Sequence, residues 1–168
     1  MGTLIIAAIV SNYPLSFLVL GFVLGLIAYA RRPKGPRALT EALFAYYLLS
    51  AVGFSYLLNF VMHVFFQETA AAYIGWQPSP FETEVGFASL GFAAVAFLAF
   101  KGSYGLRVGA VVGPAFFLWG AAGGHVYQII AAHNFAPGNA GIIFWMDIIA
   151  PLIGFAFLYA QRRQWKEG

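Results

Sequence analysis

The sequence predicts an all-α bundle of about five transmembrane helices, and the composition is the first sign of it. Of the 168 residues, 61% are hydrophobic and only 9% are charged, and the mean hydropathy is +0.79. A soluble domain has about a quarter of its residues charged, so this chain is expected to lie in a bilayer. A chain of this length is expected to form a single domain, which puts all of its apolar runs in one bundle.

The second sign is a series of apolar runs that are long enough to cross a bilayer, which takes about 20 helical residues. The runs cover residues 4–30, 40–66, 81–100, 106–132 and 142–160. In the first run, Pro14 lacks the backbone N–H that a helix needs, so the crossing part is expected to be residues 14–30. In the last run, Pro151 frees the backbone carbonyl of Asp147 four residues earlier.

The third sign is the placement of the basic residues, which predicts the orientation. They lie in or beside three connections: Arg31, Arg32, Lys34, Arg37, Lys101, Arg107, Arg162, Arg163 and Lys166. With five spans these connections share one side, and the positive-inside rule then puts the N-terminus outside and the C-terminus in the cytoplasm. We therefore expect a multi-pass protein of the cell inner (plasma) membrane, with the lipid bilayer as its partner. Basic residues in short loops do not predict nucleic-acid binding.

Several classes of chemistry find no support in the sequence. The absence of cysteine excludes thiolate metal sites, iron–sulfur clusters and cysteine nucleophiles. No glycine-rich phosphate motif or serine nucleophile elbow is present, which leaves nucleotide and α/β-hydrolase chemistry unsupported. Whether the protein is an enzyme stays open at this point.

Ionisable side chains of four predicted helices lie near the end opposite the basic connections. They are His63, Glu84, His125 and Asp147, at depths of roughly 4–10 Å from the outer ends of their spans. Ionisable groups inside a membrane are costly unless they pair, so we expect these four to converge in one cavity that opens outward. The first helix has no ionisable residue in 4–30 and is expected to lie outside the site.

Glu82 and Glu84 lie about 200° apart on a helix, so only one of them can face the interior. Ser79-Pro80-Phe81-Glu82 has the pattern of a capping box, which gives Glu82 a structural role and favours Glu84 as the interior carboxylate. The alternative is that Glu82 faces the interior. Small residues that share its stripe resemble a packed seam and favour this alternative: Gly86, Ser89, Ala93 and Ala96.

Two imidazoles and two carboxylates suit a divalent transition metal such as zinc, iron or manganese. The leading hypothesis is therefore a metal site at His63, Glu84, His125 and Asp147, either structural or activating water for hydrolysis of a lipid-like substrate. Residues expected beside these ligands, where they would fix the histidine tautomers, are Asn59, Gln128 and Glu82. Asn59 and Gln128 would alternatively form hydrogen bonds between helices.

Other functions fit the same residues. A metal-free proton relay or small-solute carrier would use the carboxylates in a low-dielectric cavity, and five helices would then favour a homo-oligomer. Haem ligation by His63 and His125 is less favoured because carboxylates lie nearby. A structural subunit that docks a partner in a larger membrane complex is the remaining alternative. Glu68 and His133, which lie in connections, are expected to be solvated.

Three segments resemble a known family. They are YIGWQPSPFETEVGFASLGF at 73–92, GGHVYQ at 123–128 and PGNAG at 137–141. Together they resemble a family of small bacterial and archaeal polytopic membrane proteins known only as a domain of unknown function. The resemblance extends over most of residues 40–160, and because that family has no assigned activity, it implies no catalytic role.

Overall fold

The computed structural model describes residues 11–31, 35 and 37–166 of the chain. Five helices within these residues are long and apolar enough to cross a membrane, which confirms the all-α class and the number of spans. The elements in chain order are α1 (Tyr13–Ala30), α2 (Ala38–Phe65), α3 (Gln67–Ile74), α4 (Phe81–Ala99), α5 (Tyr104–Ala132), α6 (Pro137–Ala140) and α7 (Ile142–Lys166). Helices α3 and α6 are short and lie in the connections. The first part of the predicted 4–30 span, residues 4–10, lies outside the described residues.

Helix α1 begins at Tyr13, with Pro14 in its first turn. Proline is tolerated there because the first backbone N–H groups of a helix have no intrahelical acceptor. Two buried glycines of α1 then allow close packing against α2. A Cβ atom at Gly21 would lie 2.8 Å from the Tyr46 carbonyl oxygen, and one at Gly25 would lie 3.0 Å from Leu43 Cα.

The middle of α2, Tyr47–Phe54, is a π-helix, a departure from α geometry that is often found near functional sites. Its polar side chains are satisfied by the neighbouring helices. The Ser50 hydroxyl donates to the Phe17 carbonyl oxygen at 2.7 Å, and the Tyr47 hydroxyl donates to the Ala150 carbonyl oxygen at 2.8 Å. This segment therefore ties α1 and α7 to α2.

Membrane helices that follow one another in the chain run antiparallel, and the last four of the five form two hairpins. In the first hairpin, α2 packs against α4, and in the second, α5 packs against α7. Small side chains line both contacts, including Ala93, Ala96 and Ala99 on α4 and Ala110 on α5. Arg32 and Lys34, two of the residues on which the orientation prediction rests, lie outside the described residues.

An ion pair between a buried arginine and a half-exposed glutamate holds together the end of the bundle that carries the basic residues. The Arg107 guanidinium donates to both carboxylate oxygens of Glu41 at 2.6 Å, and the Gln161 amide donates to the same carboxylate at 2.9 Å. Beneath this pair, the rings of Phe44 and Phe157 stack at 5.4 Å between centroids. Phe44 is fully buried, so this aromatic layer lies inside the bundle beneath the ion pair.

Candidate binding cavity

A cavity of about 780 Å³ lies between the two hairpins, at the end opposite the basic residues. Most of its wall is apolar, and all five membrane helices contribute to it together with the 67–80 connection. Phe81 lines the cavity and is 68% exposed, so the cavity opens beside this connection. The main polar side chains on the wall are Tyr13, Ser55, Tyr56, Asn59, His63, Tyr73, Trp76, Glu82, His125 and Asp147.

The first hairpin contributes one histidine–carboxylate pair. His63 lies near the end of α2, and its Nδ1 atom contacts Oε2 of Glu82 in the first turn of α4. The Glu82 residue is 7% exposed, whereas Glu84 lies on the exposed side of the same helix. The pair therefore joins the two helices of the hairpin at the cavity wall.

The expectation that Glu84 faces the interior is wrong in this structure. The stripe of small residues below Glu82 packs against α2, and this packing turns Glu82 inward and Glu84 outward. The prediction of a capping box is wrong as well, because the Glu82 carboxylate contacts His63. Ser79 instead accepts a hydrogen bond from the Phe81 backbone N–H at 3.3 Å.

The second hairpin contributes a second pair of the same kind. His125 of α5 has its Nε2 atom 3.5 Å from Oδ2 of Asp147 on α7, and both residues are buried. That distance is longer than an ordinary N–H···O hydrogen bond of about 2.7–3.2 Å. The two side chains therefore face each other across the hairpin in a loose contact.

Asn139 fixes the tautomer of His125. The Asn139 amide donates through Nδ2 to two backbone carbonyls, those of His125 at 3.3 Å and Asn134 at 2.9 Å. Its Oδ1 atom must therefore face the imidazole, where it lies 2.7 Å from Nδ1. An amide oxygen only accepts, so Nδ1 carries a hydrogen. Nε2 is then the nitrogen that faces Asp147.

Sequence reasoning missed Asn139, which lies in a connection yet is fully buried. The connection turns inward because Gly138 packs on Tyr73, where a Cβ atom would lie 2.8 Å from the carbonyl oxygen. Trp76 also donates to Asn139 Oδ1, at 3.3 Å. The Pro-Gly-Asn-Ala-Gly composition was the available signal, because small residues let a loop pack closely against its neighbours.

Of the three residues expected to orient the histidines, Glu82 contacts His63, whereas Asn59 has other partners. Asn59 accepts a hydrogen bond from the Tyr13 hydroxyl at 2.6 Å and donates to the Ser89 hydroxyl at 2.9 Å, so it links α1, α2 and α4. Gln128 does not line the cavity. The expectation that α1 lies outside the site is also wrong, since Tyr13 forms part of the cavity wall.

The structure brings three of the four predicted ligands, His63, His125 and Asp147, to one cavity and leaves out Glu84. Within residues 11–31, 35 and 37–166, no three His, Asp or Glu side chains lie close enough together to hold a metal ion. The two pairs are therefore separate on the cavity wall. Glu68 and His133 are exposed, as expected for residues in the connections.

The two pairs also differ in depth. His63 lies two residues before the end of α2 and His125 seven residues before the end of α5. Five helical residues correspond to roughly 7 Å, so the second pair is the deeper one relative to its helix end. The wall thus offers nitrogen donors and carboxylate oxygens at two levels within one apolar cavity.

The sequence profile of a family of unknown function, DUF6790, matches residues 11–167. The chain belongs to DUF6790. The match includes both histidine–carboxylate pairs and Asn139, so the whole cavity lies within the DUF6790 region. No curated protein and no solved structure matches the chain.

Proposed function

We propose that the cavity is a metal-free binding site for a small, mostly apolar molecule within the membrane. The observation that carries this proposal is that each hairpin places one histidine–carboxylate pair on the wall of the same cavity. A volume of about 780 Å³ falls in the range of about 300–1,000 Å³ that is usual for ligand pockets. The mostly apolar wall with a few polar groups is also typical of such pockets.

The two pairs supply polar contacts at a tolerable energetic cost. A lone carboxylate in a membrane is expensive, but an imidazole partner that shares its proton reduces that cost. Each pair can then donate to, or accept from, a polar atom of a bound molecule. Hydrogen bonds of this kind are stronger in a low-dielectric cavity than in water.

Binding is better supported than proton conduction through the whole bundle. The Phe44–Phe157 layer separates the cavity from the Glu41–Arg107 pair at the basic end. A proton relay would need polar groups or water to cross this layer. We therefore favour a site that is open on one side, as in a solute-binding protein or one state of a carrier.

The binding of an apolar fluorescent probe, phenylnaphthylamine, tests the proposal. Trp76 lines the cavity and can transfer excitation to a probe bound there. In nanodiscs we expect saturable transfer with the wild type and none with Ala121→Phe, which fills the cavity from α5. Ala88→Phe is the matched control, because Ala88 is exposed on α4 and does not line the cavity. Equal saturable binding by both variants would contradict the proposal.

A transition-metal site is the second candidate, and the contact between His125 and Asn139 favours it. Imidazoles that bind metals usually donate their other nitrogen to such an acceptor. His125 and Asp147 would supply only two protein ligands, whereas zinc sites usually have three or four. Elemental analysis of the purified protein decides: a stoichiometric metal that is lost in His125→Ala but kept in His133→Ala would favour this candidate over the first.

A further inference from the structure

Resting on the proposed binding function, we infer that the molecule is a quinone or quinol: a neutral, planar ring with two oxygen atoms. The cavity would bind this ring without a redox step. Three properties of the cavity wall narrow the class of ligand. They are its charge, its aromatic side chains and its number of hydrogen-bonding positions.

The charge of the wall excludes permanently charged ligands. Among the described residues, no lysine or arginine lines the cavity, so a phosphate or another fixed anion has no cation to pair with. Both carboxylates on the wall, Glu82 and Asp147, already have histidine partners. A fixed cation would have to displace those histidines. The wall therefore suits a neutral molecule.

The aromatic side chains of the wall favour a ligand with a planar ring. Aromatic side chains come from both hairpins, from α1 and from the connection: Tyr13, Tyr56, Tyr73, Trp76, Phe81 and Phe117. Aromatic faces and edges pack well against another planar ring. Trp76 and His125 already form such a contact, with 5.6 Å between ring centroids.

The two pairs distinguish a quinone from a simpler apolar molecule. An alcohol or a fatty acid has one polar end and can satisfy one pair only. A quinone has oxygen atoms at opposite edges of its ring. When each histidine is the protonated partner of its carboxylate, its Nε2–H can donate to one of these oxygens, that of His125 at the deeper level and that of His63 nearer the opening. His125 and Asp147 both line the cavity, which makes the deeper position available to a bound molecule.

The test uses decylubiquinone, a short-tailed benzoquinone, with isotope-labelled carbonyl groups in nanodiscs. We expect it to displace phenylnaphthylamine from the wild type and to show both infrared carbonyl bands at lower frequency than in empty nanodiscs. His125→Leu should lose one shifted band and His63→Leu the other, each with about tenfold weaker binding, the equivalent of one hydrogen bond. Glu84→Gln, on the exposed side of α4, should behave as the wild type.

The outcomes separate this inference from the proposed function. If phenylnaphthylamine binds but decylubiquinone does not displace it, or both carbonyl bands stay unshifted, the quinone inference fails and the binding site stands. If neither molecule binds saturably, both fail. Each histidine variant is first checked for probe binding, and a variant that no longer binds the probe is replaced by His125→Gln or His63→Gln, which keep a polar group of similar size.

Discussion

His125 donates its Nδ1–H to Oδ1 of Asn139 at 2.7 Å, and this contact joins a membrane helix to a buried turn of the connection that follows it. The contact leaves Nε2 to face Asp147 across the hairpin. A residue of a connection thus sets the chemical state of a histidine inside the bundle. The pairing at the cavity wall depends on how the 133–141 segment folds.

Replacing Asn139 with leucine should therefore destabilise the protein and disturb His125. The change leaves a buried imidazole N–H without an acceptor, a loss of about 1–3 kcal/mol. Thermal unfolding in detergent measures the destabilisation, and the imidazole nitrogen signals of His125 report its tautomer. Gln128→Leu is the control, since Gln128 lies on the same helix as His125 and does not line the cavity. Equal unfolding temperatures for the two variants would refute this role of Asn139.

The two neighbouring glutamates of α4 should differ in their effect on binding. Glu82→Gln replaces the carboxylate partner of His63, and we expect the affinity for decylubiquinone, measured by displacement of phenylnaphthylamine, to fall by about tenfold, the loss of one polar contact. Glu84→Gln changes an exposed side chain and should leave the affinity unaltered. Titration of both variants by saturable tryptophan energy transfer makes the comparison. The reverse order of effects would restore Glu84 as the interior carboxylate.

The Arg107–Glu41 pair should matter for stability and not for the cavity. Arg107→Ala leaves the Glu41 carboxylate without its cation, at a cost on the order of 2–3 kcal/mol. That is less than for a fully buried pair, because the Glu41 side chain is 44% exposed. Chemical denaturation compares this variant with Arg162→Ala, which alters an exposed residue. A loss of probe binding at temperatures where Arg107→Ala is folded would show that the basic end acts on the cavity.

The orientation in the membrane is still a prediction, and the absence of cysteine makes it simple to test. A cysteine introduced at Glu68 should react in intact cells with a thiol reagent that does not cross the membrane. A cysteine introduced at Lys101 should react only after permeabilisation, since Lys101 is expected on the cytoplasmic side. The opposite pattern would invert the topology and place the cavity opening toward the cytoplasm.

The sequence predicted the helices and the polar end of the bundle because both follow from local composition. Runs of about 20 apolar residues must be helical in a bilayer, and the positions of His63, His125 and Asp147 along these runs give their depth. The rotation of α4 could not be predicted in the same way. It depends on which stripe packs against α2, and the capping pattern around Ser79 pointed to the wrong carboxylate.

The contacts made by the connections and by α1 could not be predicted from one sequence either, because they join segments that are distant in the chain. Asn139 reaches His125 only because Gly138 packs on Tyr73, a contact between segments distant in the chain. Tyr13 reaches Asn59 across 46 residues of sequence. Neither contact has a periodic pattern, so counting ionisable residues along the helices overlooked both.

The most direct test of a shared cavity uses the protein's three histidines. In protein with isotope-labelled histidine, imidazole signals are recorded with and without saturating phenylnaphthylamine. Because His63 and His125 line the cavity and His133 does not, the first two signals should shift together over one binding curve while the third stays in place. In Ala121→Phe none of them should move. A shift of only one cavity histidine, or of none in the wild type, would contradict the account of one binding site between the two hairpins.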